Sequence, residues 1–330
     1  MEIFPPLSLV LRKLIELGET CEDETTKIEI KDQAKRMQGY LNGLSDIFDL
    51  KDPDSVYWME RTGKKNQIIH LRSAPLKIAE ILREQLFAKK SSIVMTSATL
   101  TRKGKADTFK EEVGVDILDQ KIVLSPFDYE NNMQVRILSD CPEPQGKDRS
   151  LYLKFLVRAI DSAAKSIEGG TLALFTNFAD LEYCFHNLKS SWGRLGRSVY
   201  AQGQGYSRSE LGARMMEEGD VLLLGAESFW KGFDAKGPSL SQVILTRLPF
   251  ENPGHPVMEA KTERLSKAGK SSFMEITIPK AVIRFRQGIG RLIRSHTDVG
   301  DLLIIDSRII NKRYGNHFLS ELPKQNYDLV

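Results

Sequence analysis

The sequence predicts an α/β chain, a mostly parallel sheet with helices on both faces, preceded by a helical hairpin. Two observations predict it. From about residue 150 onward, apolar runs too continuous for a half-exposed strand (GGTLALFT, DVLLLGA, SQVILTR, GDLLIID) alternate with segments of helical period. Such strands are buried on both sides, which requires helices above and below. The first 50 residues instead keep a helical period alone.

Taken in order, Leu7, Val10, Leu11, Leu14 and Leu17 form one stripe, and the GETCEDET stretch breaks it. Ile30, Ala34, Met37, Leu41 and Leu44 form a second stripe. The hairpin has few apolar residues, so it is expected to pack on something else. SVYWME and NQIIHLR read as strands around the RTGKKN turn, and Pro75 is expected to open the helix APLKIAEILREQLF. SSIVMTS, KIVLSPF and MQVRILS read as strands, and SDCPEPQGKDRS as a linker. Then SLYLKFLVRAIDSAAKSI, FADLEYCFHNLKS and SRSELGARMMEEG read as helices between strands, the last with a Ser cap and Gly219 as terminator. Glu259 to Lys270 and Asn311 to Leu322 close the list of helices, with Pro279 opening a long amphipathic one between them.

That amphipathic stretch, AVIRFRQGIGRLIRS at 281–295, organises the rest. At about 100° per residue, Val282, Phe285, Ile289, Leu292 and Ile293 share one face. Lys280, Arg284, Gln287, Arg291 and Arg294 share another, and Arg286 sits off both. The cationic face is either solvated or presents several guanidinium forks to one anionic target. Gly288 and Gly290 each cost a helix interior about 1 kcal/mol against Ala, which favours a close approach beside that face.

The totals bound the function classes. With 330 residues, 47 basic and 44 acidic, the net charge of +3 is too small to argue nucleic-acid binding without local clusters. Cys21, Cys141 and Cys184 are odd in number and far apart, as expected of a reducing, cytoplasmic setting, and no metal-ligand spacing occurs. No apolar run approaches a membrane span, and no secretory leader is read at the start. There is no GxxxxGK[ST] loop, no acidic box after a strand and no GxSxG elbow.

Polar or small residues stand at four strand ends: TSAT at 96–99, FTN at 175–177, FWKGFD at 229–234, and Asp306-Ser307-Arg308. In a parallel sheet the carboxyl ends of strands converge, and ligands bind there. Each group also has a plain reading as a strand-to-loop turn. For Gly232 and Asp234 the choice is a turn or a close backbone approach with a carboxylate acceptor, and for Phe229 and Trp230 it is core or base stacking.

These residues resemble a known family. QGIGRLIR at 287–294 is similar to motif VI of superfamily 2 helicases, in the form of the DinG/XPD-type DNA helicases. TSATL at 96–100 resembles motif III, LALFTNFADLE the motif IV region, and FWKGFDAKGPSLSQVILTRLPFENPGHP the motif V region with its LPF…P..P segment. DLLIIDSRI and YGNHFLSELP resemble the last strand and helix, and the N-terminal helices more weakly resemble the end of the arch insertion. The likeness runs from about residue 90 to the end.

It implies a RecA-like fold, with 1–50 an arch-like segment, 51–119 the tail of a first motor domain, and 120–330 a second motor domain. It implies an ATP-dependent DNA helicase whose P-loop, DEAH box and any iron–sulfur cysteines lie in a preceding half, so that no iron–sulfur cluster is encoded here. ATP and Mg²⁺ would be bound mainly by that half. Arg291 and Arg294 would contact the γ-phosphate, one of them as arginine finger, with Gln287 coupling them to nucleotide. Gly232 and Asp234 would join the nucleotide network. Thr96, Ser97 and Thr99 would link hydrolysis to movement, and Thr176, Asn177, Phe229 and Trp230 would serve single-stranded or forked DNA, tracked 5′→3′. Lys231 departs from the Glu common in FWEG and puts a carboxylate role there in doubt. Some relatives fuse an exonuclease domain. The rival expectation is a non-catalytic nucleic-acid-binding or interaction module.

Overall fold

The computed structural model describes residues 3–63, 67–101, 104–116, 118–146, 148–230, 232–233 and 237–330. The chain forms two compact units. The first comprises residues up to Met95, Asp107–Leu118 and Pro253–Arg264; the second comprises Thr96–Ala106, Asp119–Asn252 and Leu265–Val330.

In the first unit, helices α1 (Phe4–Thr20) and α2 (Glu24–Phe48) form the expected hairpin. Prolines open α1, and Asp23 caps α2 by accepting from Thr26 N. Ala34 and Leu41 are buried in it, while Leu17, Ile28 and Tyr40 stay exposed. Strands β1 (Ser55–Thr62) and β2 (Ile68–Pro75) pair antiparallel, from Ser55 opposite Pro75 to Thr62 opposite Ile68. Pro75 therefore ends a strand rather than opening a helix. Helix α3 (Ile78–Gln85) starts three residues later, and α4 (Asp107–Val113) and most of α10 (Pro256–Lys267) complete the unit. Gly114 joins α4 to α3: at φ +77°, an added Cβ would lie 2.5 Å from Ala79 O.

Two expected strands do not form. Residues 92–97 and 118–127 carry no strand, and Val94, Val123 and Leu124 are 92%, 81% and 84% exposed. Apolar, β-branched composition fits a ladder but does not supply the neighbour that a ladder needs. No adjacent strand reaches either segment among the described residues.

The second unit holds a seven-stranded sheet of order β5-β6-β4-β7-β8-β3-β9. Its strands are β3 (Met133–Ile137), β4 (Thr171–Leu174), β5 (Ser198–Ala201), β6 (Val221–Gly225), β7 (Gln242–Leu245), β8 (Gly300–Ile304) and β9 (Asp328–Leu329). Every ladder described in it is parallel. Alternate residues feed two cores. Leu172, Leu174, Leu223, Val243, Leu245, Leu302 and Ile304 face one, with α8 (Arg208–Glu218), α9 (Glu227–Trp230) and α11 (Ile278–Ile289). Ala173, Leu222, Leu224, Ile244 and Leu303 face the other, with α6 (Arg149–Lys165) and α7 (Phe178–Gly193). Period-2 alternation with both faces covered explains why these strands read as continuous apolar runs.

The stretch 139–146 is not a boundary between units. It is a loop within the second, and Cys141 is buried where its Sγ and O accept from Ser307 N and Oγ at 2.9 and 3.0 Å. A four-residue helix, α5 (Tyr129–Asn132), precedes β3. The expected last helix is broken into α12 (Arg308–Asn311), a 3₁₀ turn and α13 (Asn316–Leu319). Gly315 explains the tight path, since a Cβ there would lie 1.9 Å from Ile309 O.

Candidate functional site at the carboxyl edge of the sheet

Because the ladders are parallel, β4, β5, β6, β7 and β8 all deliver their following residues to one edge. Helix α11 does not run to Ser295. It follows a π-helical turn, Phe273–Thr277, and stops at Ile289 with Gly290 as cap, whose N–H donates to Arg286 O. Arg291 and Arg294 thus lie beyond the helix rather than on its cationic face. A turn fixes them: buried Asp298 accepts from Arg294 N and Ser295 N, both at 2.8 Å, and from Ser295 Oγ at 2.7 Å. Burial alone would raise the Asp298 pKa, but these bonds outweigh it and hold it below the usual carboxylate value.

The two arginines still converge. Arg291 donates from Nη1 to Phe233 O at 2.8 Å and from Nη2 to Trp230 O at 2.9 Å, and Arg294 donates to Phe233 O at 3.3 Å. Both guanidiniums therefore sit on the loop after β6. Gly232, in that loop, has φ +74°, a conformation that favours glycine, and a Cβ there would be 3.6 Å from Arg208 Nη1. Asp234 and Lys231 lie outside the described residues.

Gly288 admits a close approach, but from inside the molecule. A Cβ there would lie 2.7 Å from Trp230 Cζ3 and 3.3 Å from Leu245 Cδ2. Trp230 and Phe229 are fully buried, which corrects the stacking role expected of them; Trp230 Nε1 donates to Phe175 O at 2.7 Å. Arg284 covers the Trp230 ring, its guanidinium carbon 5.2 Å from the ring centre. Its Nε is buried without a hydrogen-bond partner. Burial pulls the Arg284 pKa below the ordinary arginine value, and Glu227 and Glu251 oppose that pull. Gln287, one turn on, is half-buried.

The other expected positions separate by role. Asn177 caps α7: its Oδ1 accepts from Asp180 N at 2.8 Å and its Nδ2 donates to Asp180 Oδ2 at 3.0 Å. Thr176 is half-buried beside it. Asp180, 1% exposed, also accepts from Arg149 and Arg247. Thr96 and Ser97 are exposed, and Thr99 N donates to Ser97 Oγ at 3.2 Å.

Sequence reasoning missed Arg286, which the helical wheel placed on neither face. It donates to Thr101 O at 2.7 Å and Ala98 O at 2.9 Å, tying the TSATL segment to α11. Arg308 was noted without a partner, but it forms a bidentate, buried pair with Asp306, which also accepts from Leu248 N at 2.7 Å. Neither carries a local signal: the partners of Arg286 lie far along the chain, and an i, i+2 pair after a strand fits no helical or strand period.

A seven-stranded parallel sheet covered by helices on both faces defines the RecA-like class of α/β domains. The particular family is the helicase C-terminal domain family, to which this chain belongs; the match runs over residues 160–325, about half of the chain. The chain is 36% identical over 300 residues to the 3′-5′ exonuclease DinG of Bacillus subtilis (strain 168), covering 89% of this chain and 32% of that protein. It is 31% identical over 284 residues to the ATP-dependent DNA helicase YoaA of Escherichia coli (strain K12), covering 86% and 43%. The ATP-dependent helicase DinG of Mycobacterium tuberculosis (strain ATCC 25618 / H37Rv) is 32% identical over 281 residues, covering 83% and 41%. The chain spans less than half the length of these relatives. The solved structure named XPD_APO overlays with a TM-score of 0.62 at 15% identity, covering 97% of this chain and 61% of that one. The fold is thus the RecA-like α/β fold, of the DinG/XPD type.

Proposed function

We propose that the chain is the C-terminal motor portion of an ATP-dependent DNA helicase, coupling ATP hydrolysis to translocation on single-stranded DNA. In this reading 1–50 ends an arch-like insertion, 51–119 closes a first motor domain, and 120–330 is the second. The parent acts in the cytoplasm on single-stranded or forked DNA, with a P-loop half elsewhere in the same polypeptide.

One observation carries it: Arg291 and Arg294 converge on the Phe233 carbonyl in the loop after β6. That pair suits a polyphosphate, since guanidinium forks match phosphate oxygens. A finger of this kind contributes about 10³–10⁵ in rate where measured in other nucleotide hydrolases. When bound, Mg²⁺ would neutralise phosphate charge. Among the described residues, no group of three or more His, Cys, Asp or Glu could hold a metal, so no step is assigned to it from this chain.

In the full-length parent, Arg291→Ala and Arg294→Ala should each abolish ATP turnover. Arg291 also holds two backbone carbonyls, so the melting temperature is read beside the turnover: turnover lost with the melting temperature kept marks a phosphate role, and a fall in both marks a structural one. Normal turnover in both alanine variants refutes the assignment. The 330-residue chain alone should release no phosphate from ATP, with or without DNA. Its binding to oligo(dT) should weaken steeply as salt rises.

A further inference from the structure

The two rings expected to stack on DNA, Phe229 and Trp230, are enclosed in the core. Another ring stands on the same edge. Phe178 is the first residue of α7, directly after β4 and its Phe175-Thr176-Asn177 end, and it is 50% exposed. It makes no ring–ring contact among the described residues. A single exposed aromatic is ordinary on a protein surface. Three features set this one apart.

The first is rigidity. Asn177 bonds Asp180 through both its side-chain amide atoms, so the backbone carrying Phe178 is capped at the start of a 16-residue helix. The second is clearance. The loop after β5 passes beside the ring through Gly203, at φ +86°, and a Cβ built there would lie 3.7 Å from Phe178 Cε1. Glycine turns the loop while adding no side chain against the ring. The third is charge. Asp180 is buried between Arg149 and Arg247, so two guanidiniums share one carboxylate and the group carries a net positive charge. The Arg149 side chain is 53% exposed, and with five donors a guanidinium keeps capacity beyond the bond to Asp180.

We propose that Phe178 is a nucleobase-stacking platform for single-stranded DNA, with the adjoining Arg149 as a contact for the strand's phosphate. This rests on the single-strand reading given above and names residues for it. An open aromatic face beside an exposed cation is the pairing by which proteins hold single strands without sequence preference. Asn177, expected from the sequence to touch DNA, acts instead through its cap, as the residue that positions Phe178.

The test uses the 330-residue chain and an oligo(dT) carrying one 2-aminopurine, at low salt. Anisotropy reads affinity and 2-aminopurine fluorescence reads stacking. The wild-type chain should bind and change the fluorescence. Phe178→Ala should bind about 5- to 100-fold more weakly and lose the fluorescence change, and Phe178→Trp should restore both. Arg149→Ala should lower the slope of log affinity against log salt by about one, while keeping the fluorescence change in the bound state. A Phe178→Ala chain that binds as wild type with the same fluorescence change overturns this inference alone. A wild-type chain that fails to bind oligo(dT) overturns the single-strand reading and this inference with it. A large fall in the melting temperature of Phe178→Ala would show that the ring is structural, and also overturns it.

Discussion

Gly288→Ala sets two effects of similar size against each other, and the geometry decides between them. Gly288 lies inside α11, where Ala is favoured over Gly by roughly 0.5–1 kcal/mol. The added Cβ, however, would lie 2.7 and 3.0 Å from Trp230 Cζ3 and Cε3, and 3.3 Å from Leu245 Cδ2. Those neighbours cannot retreat freely. The indole is fully buried and pinned through Nε1 to Phe175 O, and Leu245 belongs to a central strand. Overpacking a well-filled core costs about 1–3 kcal/mol. A pinned indole puts this case in the upper half of that range, for a net loss of about 1–2 kcal/mol. Each kcal/mol moves the melting temperature of a unit this size by about 2–4 °C. Gly288→Ala should therefore lower the second unit's calorimetric transition by several degrees. Gly290→Ala is the control, since its Cβ would meet only Arg286 O at 3.3 Å and Gln287 O at 4.0 Å. An unchanged or raised transition in Gly288→Ala would refute the claim that helix and indole are packed to contact there.

Other outcomes follow from the same geometry. Asp306→Ala strands the Arg308 guanidinium and Leu248 N in the core and should cost about 3–5 kcal/mol by urea denaturation, whereas an exposed pair would cost under 1. Asp298 has a folded pKa below its unfolded value, so its contribution is present above the ordinary Asp range and lost as pH falls through the folded value. The destabilisation caused by Asp298→Asn should accordingly shrink as pH falls below about 4, and a constant difference from pH 7 to pH 3 would contradict the assignment. Arg286→Ala should raise amide exchange across residues 97–101 with little change in the core strands, because it removes the donors to Ala98 O and Thr101 O.

What the sequence made legible was whatever obeys a period. The parallel strands, α6, α7 and the Ser207 capping box of α8 stand where apolar spacing and cap chemistry put them. The motif VI likeness singled out Arg291 and Arg294, which meet on the Phe233 carbonyl. The helical wheel then failed at one residue: it kept turning through Gly290, where the helix ends, and so assigned Arg291 and Arg294 to a face they do not share. Both glycines read as permitting a close approach, which Gly288 does, whereas Gly290 ends the helix. SSIVMTS and KIVLSPF were misread for a different reason. Their composition is that of buried strands, but pairing is a tertiary fact with no local signature. Burial of Phe229 and Trp230 likewise depends on which residues oppose them, here Gly225 and Gly288. Arg286 was invisible because its partners are backbone carbonyls 185 and 188 residues away.

The partition of the chain has one consequence for its connectivity. The polypeptide passes between the two units five times, at 95/96, 106/107, 118/119, 252/253 and 264/265. A single nick at 118/119 would therefore leave a fragment that still holds residues 96–106 of the second unit, and another that still holds 253–264 of the first. Neither unit can be cut out whole at one bond. A protease that opens an exposed segment such as 119–127 would leave two fragments interlocked by their shared folding rather than two released domains.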